Sequence, residues 1–131
     1  MMLAIAMQES ALIHRVQLGG PAHGYFQFER GGGCAGVLTH PASSPLAITA
    51  CGRLDYQPTP NEVYDAIVHN DILACIFARL LLWTSPHPLP KQDQPELGWS
   101  EYLAAWRPGA PHHPQWGDNF TFGWHWATTV L

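Results

Sequence analysis

The chain has 131 residues, enough for one domain with a buried core and too few for two. Hydrophobic residues make up 47% and charged residues only 12%, against about 25% charged in an ordinary globular domain, so an intrinsically disordered chain is excluded. The formal charge is −4, with a single lysine, Lys91, and five scattered arginines. No basic cluster is present to displace counterions from a phosphate backbone, which argues against unassisted nucleic-acid binding.

Met2 to Ile13 reads as a helix, with helix-compatible Ala, Leu, Ile, Met and Gln and no Gly or Pro. Met2, Ile5, Ala6, Glu9, Leu12 and Ile13 share one face, which puts Glu9 in a core position. Leu3, Ala4 and Met7 make the helix apolar nearly all round, so it is expected to be central and covered on most sides. Gln17 to His23 is a loop containing Gly19-Gly20-Pro21. Gly24-Tyr25-Phe26-Gln27-Phe28 is extended or irregular, and Gly31-Gly32-Gly33 breaks the chain again before a short helical segment from Cys34 to His40.

Ser44-Pro45 reads as an N-cap followed by a first-turn proline, opening a helix to about Asp55. Thr59-Pro60-Asn61-Glu62 is a capping-box start for a helix running to about Trp83. Val63, Ala66, Ile67, Leu73, Ala74, Phe77, Leu80 and Leu81 form its stripe, and from Ile72 the second face is apolar too, the mark of a buried central helix. Ser85 to Pro90 is a stiff exposed connection. Trp99 to Trp106 is a short helix with Tyr102, Leu103 and Trp106 on one side, ended by Arg107-Pro108-Gly109. Pro111 to Pro114 is a loop, and Trp116 to Val130 is the last helix. The expected fold is mainly α, a single domain over 1–131 with a small irregular β element near residues 24–29.

Cys34, Cys51 and Cys75 match no Cys-x-x-Cys spacing. They read as buried free thiols made in a reducing compartment, with a Cys34–Cys51 bridge as the alternative. The N-terminus has neither a basic n-region nor a small-residue cleavage site, so no signal peptide is expected. The apolar run Ile72–Trp83 is interrupted by Arg79 and falls short of the ~20 residues of a membrane span, so no stable membrane insertion is expected. The apolar start at Met1 leaves open that this is a piece of a longer protein.

A carboxyl on an apolar helix face is hard to ionise, and an acid still protonated near neutrality can protonate a leaving oxygen. Glu9 is therefore a candidate general acid; the other reading is an exposed Glu at the edge of the stripe, paired with Arg15. Met7-Gln8-Glu9-Ser10 is followed by a Gly-containing loop and Gly24-Tyr25-Phe26-Gln27-Phe28. Over residues 3–29 this order resembles the core signature of soluble lytic transglycosylases and goose-type lysozymes. Gly19-Gly20-Pro21-Ala22 and Trp106-Arg107-Pro108-Gly109 resemble phage and prophage lysozyme-like proteins.

The resemblance implies a lysozyme-like helical fold with Glu9 as general acid and Ser10, Gly24, Tyr25 and Gln27 lining the sugar cleft. His23, directly before Gly24, is added as a cleft residue. The family's Tyr-Asn-x-Gly motif is absent, and Tyr102 is the candidate for its tyrosine; the other reading is a packed aromatic with a satisfied hydroxyl. Tyr25-Phe26 replaces the family's Leu-Met and would make a narrower wall for stacking on sugars.

Glu29 stands where goose-type lysozymes carry a second acid. If it holds water opposite Glu9, hydrolysis with inversion follows. If it points away or pairs with Arg30 or Arg15, Glu9 works alone and the sugar's own hydroxyl attacks.

Eight histidines include the adjacent pair His112-His113 but no His-x-x-x-His, so neither a metal site nor a cofactor is expected. His14 reads as a helix-end histidine near the C-terminal dipole. Five of the six tryptophans, Trp99, Trp106, Trp116, Trp124 and Trp126, lie in the last third, as core packing or as a sugar-stacking wall or docking face.

The expected activity is a muramidase or lytic transglycosylase acting on the MurNAc–GlcNAc β-1,4 bond of peptidoglycan glycan strands. The resemblance implies synthesis in a bacterial cytoplasm and action in the periplasm or cell wall, alone or with phage virion or lysis proteins. The alternative is a non-enzymatic virion or assembly component of the same fold that binds glycan or protein.

Overall fold

In the computed structural model, which describes residues 1–130, the first helix, α1 (Met2–Ser10), stops at Ser10 rather than Ile13. Ser10 causes the stop. Its buried hydroxyl accepts from the Leu12 N–H at 3.2 Å and lies 2.8 Å from the Tyr25 carbonyl. A side chain that satisfies the backbone locally competes with the helical ladder. Ala11 and Leu12 turn left-handed at φ 53° and 56°. Ile13 is therefore 70% exposed instead of on the core stripe. His14 is solvent-exposed just beyond the helix, with its backbone N–H bonded to the Ser10 carbonyl at 3.2 Å.

The central position of α1 does hold. Ala4, Ile5 and Ala6 are consecutive and all buried, so the helix is covered on more than one side. Its main partner is α7 (Trp116–Thr129), which approaches through Gly123. A Cβ at Gly123 would stand 2.8 Å from the Ala4 backbone nitrogen, so the two backbones pack closer than side chains would allow.

The β element reduces to two isolated antiparallel bridges, Val16–His23 and His23–Phe28, which begin earlier than residue 24. The glycines at 31–33 do not break the chain. Arg30–Cys34 forms a π-helical turn that runs into α2 (Ala35–Thr39). Gly33 lies against Phe28, where a Cβ would meet the ring at 2.9 Å, and Cys34 and Val37 seal the turn into the core.

Helix α3 (Ser44–Arg53) has its proline in the first turn but no side-chain cap. The Ser43 hydroxyl donates instead to the Val37 carbonyl at 2.7 Å. Helix α4 (Pro60–Ala66) starts as expected, with the Glu62 N–H bonded to Thr59 Oγ1 at 3.3 Å. It does not continue to Trp83. A separate helix, α5 (Asp71–Trp83), begins at Asn70, whose side chain accepts from the Leu73 N–H at 3.0 Å. Asn is a strong N-cap, and this one starts a new helix.

The apolar stripe survives the break: Val63, Ala66, Ile67, Leu73, Ala74, Phe77 and Leu80 are buried and Leu81 is half-buried. α5 packs against α1, α2, α3 and α6 (Pro95–Trp106), although Ile72 and Trp83 on its other face are exposed. Pro90, in the connection expected to be exposed, is buried. Glu101 of α6 holds that connection, accepting from Ser85 Oγ at 2.6 Å and lying 2.8 Å from His87 Nδ1.

α7 follows a 3₁₀ turn at His113–Gln115. Its first residue, Trp116, is fully buried, stacked on Tyr102 and bonded through Nε1 to the Pro95 carbonyl at 2.7 Å. The cysteines are free, with Cys34 and Cys51 buried as expected and no bridge between them, but Cys75 is exposed. Among the described residues no helix is long and apolar enough to cross a membrane.

Candidate active site

Glu9 occupies the last turn of α1, half-buried, with its carboxyl on a groove of about 640 Å³. Burial strips water from the carboxylate and raises its pKa from 4.5 to about 7. The Tyr102 hydroxyl donates to Glu9 Oε1 at 2.6 Å and pulls the other way, since it stabilises the ionised form. Burial wins. Near neutral pH Glu9 is divided between a proton donor and a carboxylate, the condition general acid–base work needs. Oε1 is occupied by Tyr102, and Oε2 has no hydrogen-bond partner among the described residues.

Tyr102 is held firmly. It is buried in α6, its ring stacks on Trp116 at 5.4 Å between centroids, and both burial and the neighbouring Glu9 raise its pKa. It therefore stays a donor throughout the range in which Glu9 titrates. The Glu9–Arg15 pair considered from the sequence is not formed: Arg15 Nη2 donates to Asp71 Oδ2 at 2.9 Å.

Gln27 and Glu29 reach the same groove from the bridged segment, and the π turn contributes Gly31, Gly32 and Gly33 as bare backbone wall. Gln27 has a left-handed backbone at φ 51°, and its Nε2 donates to the Gly24 carbonyl at 2.9 Å. Such a conformation costs a non-glycine residue about 1–2 kcal/mol, and the fold maintains it beside the groove. Glu29 is exposed and has no ion pair among the described residues. Arg15 is taken by Asp71, and Arg30 lies 4.8 Å over the Tyr64 ring.

Three of the residues expected to line the cleft support it from behind instead. Ser10 is buried under the Tyr25 carbonyl. His23 stacks on Tyr64 at 3.7 Å and sets Nδ1 2.8 Å from the Tyr64 carbonyl, away from the groove. Gly24 turns left-handed at φ 71° beside the Ile67 carbonyl. Tyr25 and Phe26 do not form a sugar wall. Tyr25 lies under the Arg15 guanidinium at 4.3 Å and Phe26 is core. The aromatic wall is Phe28 with Trp106, ring centroids 5.8 Å apart. Trp106 Nε1 donates to the Phe26 carbonyl at 2.8 Å, tying α6 to the bridged segment.

Sequence reasoning assigned no site role to Arg107, Pro108 or Gln17, which also line the groove. A lone cation between Trp106 and Pro108 was the available signal for Arg107. Gln8, within the Met7-Gln8-Glu9-Ser10 motif, has a structural role. It accepts from Asn119 Nδ2 at 2.8 Å and donates to the His112 carbonyl at 2.9 Å, which locks α7 and its preceding loop onto α1. Among the described residues no three His, Cys, Asp or Glu side chains converge as a metal-binding group.

The Tyr102–Glu9 bond has a measurable consequence. Tyr102→Phe removes the one hydrogen bond that favours the carboxylate, so the Glu9 pKa should move above about 7. Titration of the Glu9 carboxyl by NMR in both chains checks this; a fall or no change would show that the hydroxyl does not act on Glu9.

No family model, curated protein or solved structure matches this chain.

Proposed function

We propose that the chain cleaves the MurNAc–GlcNAc β-1,4 bond of peptidoglycan, with Glu9 as the general acid. The observation that carries this reading is a partly desolvated carboxyl, pKa about 7, opening on a groove that also holds Glu29 and Gln27. Glu9 gives its proton to the glycosidic oxygen as the C1–O bond breaks and positive charge develops at C1. Glu29, in the same groove and without an ion pair among the described residues, takes a proton from water attacking C1 from the opposite face, and the product is a reducing sugar with inverted configuration. Without that base the C6 hydroxyl of the same sugar attacks C1, returns its proton to Glu9, and leaves a 1,6-anhydro end.

The freedom of Glu29 from Arg15 and Arg30 favours the water route. The setting that suits the reading is bacterial cell-wall breakdown, in phage lysis or in entry.

Digestion of purified peptidoglycan, followed by mass analysis of the soluble ends, tests it. Wild type is expected to release fragments with reducing ends, and Glu29→Gln to slow release by about 10²-fold or more. Full activity of Glu29→Gln with anhydro ends establishes the single-acid route. No release by wild type overturns the enzyme and leaves the non-catalytic binding protein.

A further inference from the structure

We propose that Arg107 makes this groove selective for carboxylate-bearing glycans, by pairing with an acid group carried on the muramic-acid side of the substrate. The substrate class rests on the glycosidase reading above; the placement of the cation does not. Arg107 follows the last residue of α6 with a left-handed backbone at φ 50°, its N–H bonded to the Leu103 carbonyl at 3.1 Å. Glycine is the residue that favours this helix-ending position. The next residue is Pro108, which disfavours helical backbone in the residue before it. The glycine preference opposes an arginine here and the following proline adds backbone restriction, yet the fold holds an arginine at the groove.

Trp106 makes that base rigid through its bond to the Phe26 carbonyl. The guanidinium has little else to do. It forms no ion pair among the described residues, and its one hydrogen bond is a long 3.4 Å contact from Nε to the Ala104 carbonyl. The terminal nitrogens keep the planar fork that matches a carboxylate. Arg107 is the only Lys or Arg among the lining residues, while the acids Glu9 and Glu29 stand in the same groove. A neutral glycan offers such a cation hydroxyl and amide oxygens but no opposite charge. A muramyl glycan offers a carboxylate from two sources: the lactyl group of a strand stripped of its peptides, or the stem peptide itself.

The test is binding to the full chain carrying Glu9→Gln, so that turnover does not intervene, measured by calorimetry. Three soluble tetrasaccharides are compared: a peptide-free muramyl glycan, the same glycan with stem peptides, and neutral N-acetylglucosamine tetramer. One muramyl glycan should bind at least about tenfold more tightly than the neutral tetramer, as expected for a charge-assisted pair. Tighter binding of the peptide-free strand identifies the lactyl carboxylate, and of the peptide-bearing strand the peptide's. Arg107→Gln should erase the preference, weakening the muramyl glycan far more than the neutral tetramer, and Arg107→Lys should restore part of it.

Arg107→Gly relieves the backbone and should unfold at no lower temperature while losing the same preference, which separates lost pairing from lost fold. Equal binding of all three glycans, unaffected by Arg107→Gln, overturns the role of Arg107 and leaves the glycosidase reading standing. Failure to bind any of them overturns both.

Discussion

Glu9→Gln is expected to slow release of peptidoglycan fragments by about 10²–10⁴-fold, and at the same time to make the folded protein more stable above pH 7. The two effects have one origin. The carboxyl is placed where ionisation is unfavourable, and its pKa rises from 4.5 to about 7. Between those values the folded chain holds a proton that the unfolded chain releases. The resulting stability is fully present below pH 4.5 and is lost progressively as pH rises to about 7.

The full difference corresponds to roughly 3 kcal/mol, an upper figure because a half-exposed groove wall relaxes and admits water. Gln cannot ionise, so the variant escapes this loss. Denaturant unfolding should find the two chains similar at pH 4 and the variant ahead at pH 8 by up to about 3 kcal/mol. An equal stability at both pH values would falsify the desolvated carboxyl. The cleavage rate of wild type should likewise fall above pH 7, as the donor form of Glu9 disappears.

The helices were legible because their signals are local. Thr59-Pro60 opens α4 and the apolar stripe from Val63 to Leu81 marks what is buried, whereas α6 begins at Pro95, four residues before the expected Trp99. The errors arose where one side chain outweighs periodicity. Ser10 turns the chain at a position that still reads as helix, and Asn70 divides an apolar pattern whose stripe continues undisturbed across the break. The glycines at 31–33 read as a break because the turn's stability comes from Phe28, Cys34 and Val37 packed around it, not from their own propensity.

The site divides in the same way. Periodicity alone put Glu9 in a core position, and the Gln27–Glu29 segment raised the prospect of a groove. The hydrogen bonds from Tyr102 and Trp106 span most of the chain, and no local pattern encodes such contacts; Tyr102 was singled out only through the family resemblance, and its hydroxyl does meet Glu9. His23 was placed in the cleft for its nearness to Gly24, and Tyr25 because it stands in the segment that resembles the family's cleft wall. Their rings instead meet Tyr64 and Arg15 on the far side of the bridged segment.

Gly24→Ala should destabilise the protein by about 2–4 kcal/mol, the sum of a left-handed backbone penalty and a steric one. Gly24 sits at φ 71°, and a Cβ there would stand 2.8 Å from the Ile67 carbonyl oxygen. That atom belongs to the backbone at the end of α4, so it cannot swing aside as a side chain would. Gly19→Ala provides the comparison. It has nearly the same backbone, φ 70°, with nothing within 4 Å of the new Cβ, so it should cost only the conformational penalty of ~1–2 kcal/mol. The difference between the two in chemical denaturation isolates the clash with Ile67, and equal values would remove it from the account.

The site should respond as well. The Gly24 N–H bonds the Arg15 carbonyl at 2.7 Å, and the Gly24 carbonyl accepts both the backbone N–H and the side chain of Gln27. Moving Gly24 away from Ile67 therefore moves Gln27 and, through Phe28, the wall that faces Glu9. At temperatures where Gly24→Ala remains folded, glycan binding should weaken while the Glu9 pKa, set by α1 and Tyr102, stays near 7. A shifted pKa with intact binding would mean that this turn acts on the acid rather than on the groove.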